Sequence, residues 1–172
     1  NEIKLTILLA RKGAPVPAIW DVDIDEAKII MEKIEGKPLI EILRSNEHDE
    51  ELLIKVGRSI RELHRNAVNH GDLSTNNILI SDNREAFLID LGLATREYDL
   101  EGFGIDLHVL HEILRASHPD VKGAMDLVLK GYSQLDEELG KPEAAPGGFP
   151  PDAEDVIKRL GQIMKRVRYH GG

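Results

Sequence analysis

The sequence contains no cysteine, which excludes disulfide bonds and thiolate metal sites and agrees with a reducing compartment. No apolar run approaches the length needed to cross a membrane, and the first residues do not resemble a signal peptide. We therefore expect a cytoplasmic protein that makes no membrane contact.

The length and amino-acid composition of the chain are typical of one globular domain. The chain has 172 residues, of which 41% are hydrophobic and 31% are charged, and this length allows one substantial core. Its formal charge of −9 is unevenly distributed, because residues 156–172 carry +5 and leave −14 on the rest. We therefore expect that the body of the protein does not attract nucleic acid, whereas the C-terminal segment has the charge of a tail with its own partner.

The spacing of apolar residues predicts a mostly helical chain with two hairpins. The first helix, with Ile3, Leu5, Ile7 and Leu8 on its apolar stripe, is expected to end at Gly13. The other expected elements are a hairpin over 18–34, a short helix over 38–44, a helix over 49–69, a hairpin over 78–91, a helix containing 105–114, a helix over 121–139, a Pro/Gly-rich loop over 140–151, and a last helix capped by Asp152.

The helix over 49–69 has the clearest amphipathic pattern. Asp49 is the expected N-cap of this helix. The helix leads the chain directly into the segment that begins at His70. The charged residues are expected off that face, at positions Lys55, Arg58, Arg61, Glu62 and Arg65.

The chain is organised around residues 70–80, HGDLSTNNILI, and residues 87–92, FLIDLG. Between the two apolar runs lies a polar, turn-forming segment, which predicts a hairpin. Pairing of its strands brings Asn77 and Asp90 to the same end, beside the loop that carries Asp72. The separations of five positions from Asp72 to Asn77 and eighteen from Asp72 to Asp90 match the catalytic loop and metal-binding Asp of kinases.

These side chains suit phosphoryl transfer from ATP, which is catalysed mainly by positioning and by neutralising charge. Asp72 is the predicted catalytic carboxylate, which orients or deprotonates the attacking hydroxyl. Asn77 and Asp90 are the predicted ligands of Mg²⁺, a hard cation that prefers oxygen. Taken singly, the same residues are also typical of a loop Asp, a capping Asn and a turn at a strand end; their joint spacing favours the kinase-type site.

Several His and Asp residues near these motifs have supporting or neutral predicted roles. His70 is expected to be a scaffold residue that packs and hydrogen-bonds. Asp106 lies in an apolar helix, where a charge is costly unless it is hydrogen-bonded; we expect it to accept from backbone amides of the His70 loop, the alternative being an Asp that faces solvent. His108 and His111 have the spacing of metal ligands but no third ligand nearby, so surface positions are expected.

Two further segments have predicted binding roles. In a kinase, the strand end at residues 31–36 becomes the hinge between two lobes, and adenine would bond to the Glu32 carbonyl and the Ile34 amide; a strand that simply leaves a sheet is the alternative. At the C-terminus, Lys165, Arg166 and Arg168 fit either a solvated helical face or a docking or RNA-binding tail. Only Tyr169 could stack on a base there, so aromatic residues do not strengthen the RNA interpretation.

With these motifs in place, the sequence resembles the small atypical kinase subunit of the KEOPS complex, the bud-site-selection or p-fifty-three-related kinase family. The resemblance covers essentially the whole chain. The blocks that carry it are residues 13–17 (GAPVP), 31–36 (MEKIEG), 70–79 (HGDLSTNNIL), 105–110 (IDLHVL) and the basic end near 166–169. RIO-type kinases and aminoglycoside phosphotransferases share parts of this pattern at greater length.

The resemblance implies an α+β, protein-kinase-like fold with a mostly helical, reduced C-lobe and a truncated N-lobe. Residues 1–34 would be the remnant of the N-lobe, and residues 35–172 the C-lobe with its basic helix and tail. It implies binding of ATP and Mg, Ser/Thr kinase or ATPase activity, and work beside the threonylcarbamoyl-transferase subunit in tRNA modification. Glu2 falls where the family has the helix Glu that pairs with the ATP lysine; a surface Glu is the alternative.

Departures from the kinase pattern qualify the activity that the resemblance implies. No Gly-rich phosphate loop and no strand lysine occur upstream of these motifs, and we expect both to precede Asn1. Only 16 positions separate Asp90 from Asp106, with no Ala-Pro-Glu, and Ser74 replaces the usual catalytic-loop lysine. Broad peptide phosphorylation is therefore not expected, and an ATP-driven switch within an assembly fits better. The alternatives are a catalytically silent kinase-like scaffold and a RIO-like or small-molecule phosphotransferase.

Overall fold

In the described part of the chain, helices are the main elements and three small antiparallel sheets accompany them. The structure is a computed structural model that describes residues 2–144 and 147–170, the last three of them by their backbone only. The sheets pair β1 with β2, β5 with β3 and β6, and β4 with β7. The elements are α1 (Glu2–Arg11), β1 (Ile19–Asp23), β2 (Lys28–Met31), β3 (Gly36–Pro38), α2 (Leu39–Arg44), α3 (Glu50–Arg65), β4 (Val68–Asn69), β5 (Ile78–Ser81), β6 (Ala86–Leu88), β7 (Thr95–Arg96), α4 (Leu100–Ser117), α5 (Ala124–Leu139) and α6 (Ala153–His170).

The helix α3 is the central element of the core. Asp49 caps it as predicted, because its Oδ1 accepts a hydrogen bond from the Leu52 N–H at 2.8 Å. The helix ends at Arg65 rather than at residue 69, since Ala67 adopts a left-handed φ of 58° and the next two residues form β4. The fully buried apolar side chains of this helix are Leu52, Leu53, Val56, Ile60 and Leu63.

Two glycines allow α3 and α5 to pack backbone against backbone. A Cβ atom on Gly57 would lie 1.8 Å from the Val128 carbonyl oxygen, and one on Gly131 would lie 1.9 Å from the Ile54 carbonyl oxygen. Any larger residue would therefore force the helices apart. This close crossing fixes α5 against the helix that leads into the His70 loop.

Several details differ from the sequence-based expectations. Arg61 is fully buried in the interior instead of lying off the apolar face. In α1, Leu5 and Leu9 are the buried apolar residues, and only Leu5 belongs to the predicted stripe. The other stripe residues are partly buried. Helix α5 begins at Ala124 rather than 121, because Gly123 takes a left-handed conformation just before it. Asp152 does cap α6, accepting from the Asp155 N–H at 3.0 Å.

The β1–β2 hairpin stands apart from this core. Every residue of β2 is exposed, and the hairpin also exposes Trp20 and Ile24. The three-stranded sheet is better covered, since the residues of β5 and β6 alternate between buried and partly buried. Within the described part of the chain, no helix is long and apolar enough to cross a bilayer.

Candidate active site

The β5–β6 hairpin brings the two predicted metal ligands together at one end. Its register pairs Ile78 with Leu88, and the Ile89 N–H donates to the Asn77 carbonyl oxygen at 3.0 Å, one step beyond the strands. Asn77 and Asp90 therefore flank the same end of the hairpin. The pairing predicted from the sequence is confirmed.

Asp72 and Asn77 are in direct contact. The Asn77 Nδ2 donates to the Asp72 carbonyl oxygen at 2.9 Å and to its carboxylate Oδ2 at 3.1 Å. Both partners are acceptors, so the amide group faces Asp72 with its NH₂ side. The Asn77 Oδ1 is then the amide atom left to ligate a cation, while the Asp72 side chain is exposed.

Asp90 lies in a left-handed turn with a φ of 60°, a conformation that Asp tolerates better than most residues. The turn brings the carboxylates of Asp90 and Glu2 near Gly92. A methyl group placed on Gly92 would lie 3.3 Å from the Asp90 Oδ1 and 3.8 Å from the Glu2 Oε2. The first turn of α1 therefore packs against the Asp90 turn, as required if Glu2 belongs to the site.

Beside this turn opens a cleft of about 430 Å³, within the size range of small-molecule sites. Four predicted binding residues line it: Glu2, Glu32, Ile34 and Asp90. Asp72 and Asn77 are not part of its lining. The remaining lining residues, nearly all apolar, are Thr6, Pro17, Met31, Leu79, Leu88, Ile89 and Leu91.

The segment after β2 closes one side of the cleft. The Glu32 N–H donates to the Ala18 carbonyl oxygen at 2.7 Å, and the Glu32 Oε2 accepts from the Ala18 N–H at 3.0 Å. Among the backbone hydrogen bonds of the described residues, none uses the Glu32 carbonyl oxygen or the Ile34 N–H. One acceptor and one donor are thus open where a kinase hinge would meet adenine.

Asp106 braces the loop that carries Asp72, as predicted. Its side chain is only 2% exposed and accepts from the His70 N–H at 2.6 Å and from the Gly71 N–H at 3.0 Å. His70 is itself buried, and its Nε2 donates to the Ile89 carbonyl oxygen at 3.0 Å. His70 is therefore a scaffold residue, also as predicted.

The polar residues behind this brace were not predicted from the sequence. The His64 Nε2 lies 3.1 Å from the Asp106 Oδ2, and its Nδ1 lies 2.7 Å from the Tyr132 hydroxyl. Burial lowers the pKa of His64, and the attraction of Asp106 does not outweigh that effect. Burial also raises the pKa of the Tyr132 phenol. One signal was available, since His64 follows Ile60 by one helical turn and so belongs to the apolar face.

Two other groups of residues do not form a comparable site. His108 and His111 are partly buried rather than on the surface, and no cluster of three potential metal ligands occurs among the residues that the structure describes. A second cleft of about 430 Å³ lies between α5 and α6. Four acids and one lysine line it, so its lining is unsuited to binding phosphate; the acids are Asp136, Glu137, Asp152 and Glu154.

The basic C-terminal residues are in different environments. Lys165 is exposed, whereas Arg166 makes an ion pair with Glu101, which also lies 3.5 Å from Arg159. The side chain of Arg168 lies outside the described residues. Part of the positive charge of α6 is therefore balanced within the protein.

Comparison with known proteins identifies the family. Residues 1–117 match the model of the RIO domain. The KEOPS complex subunit Bud32 of Pyrococcus abyssi is 36% identical over 91% of this chain and 67% of its own length. A probable serine/threonine-protein kinase BUD32 homolog of Archaeoglobus fulgidus is 32% identical over 98% of this chain and 74% of its own length.

A longer relative shows the same likeness over part of its length. The probable bifunctional tRNA threonylcarbamoyladenosine biosynthesis protein of Methanosarcina acetivorans is 35% identical over 98% of this chain. This chain spans only 27% of that relative. The expected α+β, kinase-like fold class is confirmed, and the chain belongs to the RIO domain family, among the relatives that are named Bud32.

Proposed function

We propose that this chain is an atypical Ser/Thr kinase or ATPase that uses Mg-ATP. We further propose that it works as a KEOPS subunit in the threonylcarbamoyladenosine modification of tRNA. One observation supports the chemical part of the proposal. Asn77, which contacts Asp72, and Asp90, which lines an apolar cleft, flank the same end of the β5–β6 hairpin. The names of the Bud32 and threonylcarbamoyladenosine biosynthesis relatives support the biological part.

The oxygen-bearing side chains present fit Mg²⁺. The Asn77 Oδ1 and the Asp90 carboxylate are hard oxygen ligands and would hold the ion. When bound, Mg²⁺ supplies positive charge that offsets the phosphates. Asp72 would orient the attacking hydroxyl or water, and its contact with the Asn77 NH₂ fixes its position.

The proposed nucleotide pose follows from the cleft. Adenine would lie between apolar side chains such as Pro17 and Leu79, bonded to the Glu32 carbonyl and the Ile34 amide. Residues 1–34 would then act as the N-lobe part of the site and residues 35–172 as the C-lobe. We assign Glu2 as the partner of a phosphate-binding lysine, since it points toward the Asp90 turn.

The first test is single-turnover ATP hydrolysis by the full-length protein, alone and with its partner. Asp90→Ala should reduce turnover by at least about a hundredfold, because it removes a charged ligand of the ion. Asp82→Ala is the matched control, since Asp82 is an exposed acid in the hairpin turn and should change turnover by less than about twofold. An unchanged rate for Asp90→Ala would contradict the ligand assignment.

The same assay separates an enzyme from a silent scaffold. A scaffold would bind its partner and show no hydrolysis that depends on Asp72 or Asp90. A phosphotransferase that acts on small molecules would instead turn over only with an acceptor, which a screen of aminoglycosides and sugars would identify.

The proposed partner is the threonylcarbamoyl-transferase subunit, with tRNA contacted through Lys165, Arg166 and Arg168. Neutralising these three residues should weaken binding and flatten its dependence on salt, because fewer counterions are released. The ion pair of Arg166 with Glu101 makes Lys165 the larger expected contributor of the two described residues. An affinity that changes neither with these substitutions nor with salt concentration would contradict the proposed tRNA contact.

A further inference from the structure

A continuous series of buried and partly buried hydrogen bonds connects the start of α6 with the loop that carries Asp72. It begins at Asp136, which accepts from the Ala153 N–H at 2.8 Å and from the Arg61 Nε at 2.8 Å. The Arg61 Nη1 donates to the Tyr132 hydroxyl oxygen at 3.3 Å. We call this series, from Asp136 through Arg61, Tyr132 and His64 to Asp106, the buried relay.

The donors and acceptors of the buried relay point in one direction. The Tyr132 oxygen accepts from Arg61, so its O–H is free to donate to the His64 Nδ1 at 2.7 Å. His64 with a lone pair on Nδ1 carries its proton on Nε2, which donates to the Asp106 Oδ2 at 3.1 Å. Asp106 then accepts from the amides of His70 and Gly71 with its two oxygens.

Packing alone does not account for these side chains. Arg61, His64 and Tyr132 are completely buried, and burying polar groups costs free energy unless every one finds a partner. Apolar residues of similar volume would fill the same space without that requirement. The relay ends on the two amides directly before Asp72, which indicates that its role is to fix this backbone.

We propose that His64 and Tyr132 are positioning residues for Asp72, acting through Asp106 on the backbone of His70 and Gly71. The inference rests on the proposed function, since it assigns these residues to the same catalytic loop. Neither side chain touches the cleft, so binding of ATP is not expected to depend on them. Their loss would misplace Asp72 and lower the rate of the chemical step.

The test compares variants of the full-length protein that keep the core filled. Tyr132→Phe removes only the hydroxyl, and His64→Leu removes both ring donors and acceptors. Each should lower kcat about tenfold while the KM for ATP changes by less than about twofold. His64→Gln, whose amide can still donate to Asp106, should restore most of the rate.

Val128→Ala is the matched control, because Val128 is fully buried on the same helix but lies outside the buried relay. It should lower stability without lowering kcat by more than about twofold. A control as slow as Tyr132→Phe would mean that general destabilisation explains the loss, and would overturn the proposal.

A second measurement does not depend on catalysis. Hydrogen exchange of the His70 and Gly71 amides should accelerate at least about tenfold in Tyr132→Phe and His64→Leu, relative to amides in the middle of α3. Unchanged exchange at these two amides would overturn the inference. If the wild-type protein shows no turnover but the exchange effect is present, the proposed function fails while the positioning role stands.

Discussion

Replacing Asp106 by Asn should destabilise the protein by about 2–4 kcal/mol. The carboxylate accepts three hydrogen bonds, from the N–H groups of His70 and Gly71 and from the His64 Nε2. An amide has one oxygen, so at least one of these donors would face an NH₂ group in a site that is 2% exposed. Loss of one bond to a charged group costs about 1.5–3 kcal/mol, and a buried donor left unpaired adds to that cost.

Urea unfolding followed by far-UV circular dichroism gives the free energy of unfolding for the variant and the wild type. Asp120→Asn makes the same chemical change at an exposed turn and should stay within about 0.5 kcal/mol of the wild type. A loss below about 0.5 kcal/mol for Asp106→Asn, with an unchanged m-value, would refute the idea that Asp106 braces the loop.

Two further predictions concern stability. Gly57→Ala should lower the free energy of unfolding by at least about 2 kcal/mol, because its methyl group would meet the Val128 carbonyl oxygen. Gly161→Ala, on the open side of α6, should be neutral or stabilising by up to about 1 kcal/mol. Equal urea midpoints for the two variants would contradict the close crossing of α3 and α5. The free energy of unfolding should also fall as the pH drops below 6.5, the ordinary pKa of histidine, because burial lowers the pKa of His64 and only the unfolded chain then takes up that proton. The charged or titratable groups that face His64 are Asp106, Arg61, His70 and Tyr132. His64→Gln should reduce the dependence of the unfolding free energy on pH. An identical pH profile would argue against a neutral, buried imidazole.

The hairpin and its flanking residues could be predicted from the sequence because their signals are local. Apolar runs on both sides of a polar turn define β5 and β6, and the pairing then follows from strand geometry. The positions of Asn77, Asp90 and the Asp106 brace came from spacing in a known motif, which the structure reproduces. Their roles in binding an ion remain predictions.

The interior polar residues could not be predicted, because their environment is created by distant segments. Arg61 is 75 positions from its partner Asp136, and no periodicity in α3 indicates that an acid from α5 meets it. The end of α3 at Arg65 could not be predicted for a related reason. Val68 pairs with the distant Arg96 of β7, and that pairing overrides helical propensity. Strands of two residues leave no sequence pattern.

The exposed β1–β2 hairpin has a practical consequence for spectroscopy. Trp20 is the only tryptophan of the chain and is 69% exposed, so its emission is already that of an indole in water. Intrinsic fluorescence should therefore change little when the core melts, but should shift to shorter wavelength when another molecule covers the hairpin. The indole thus serves as a built-in reporter of docking at this surface.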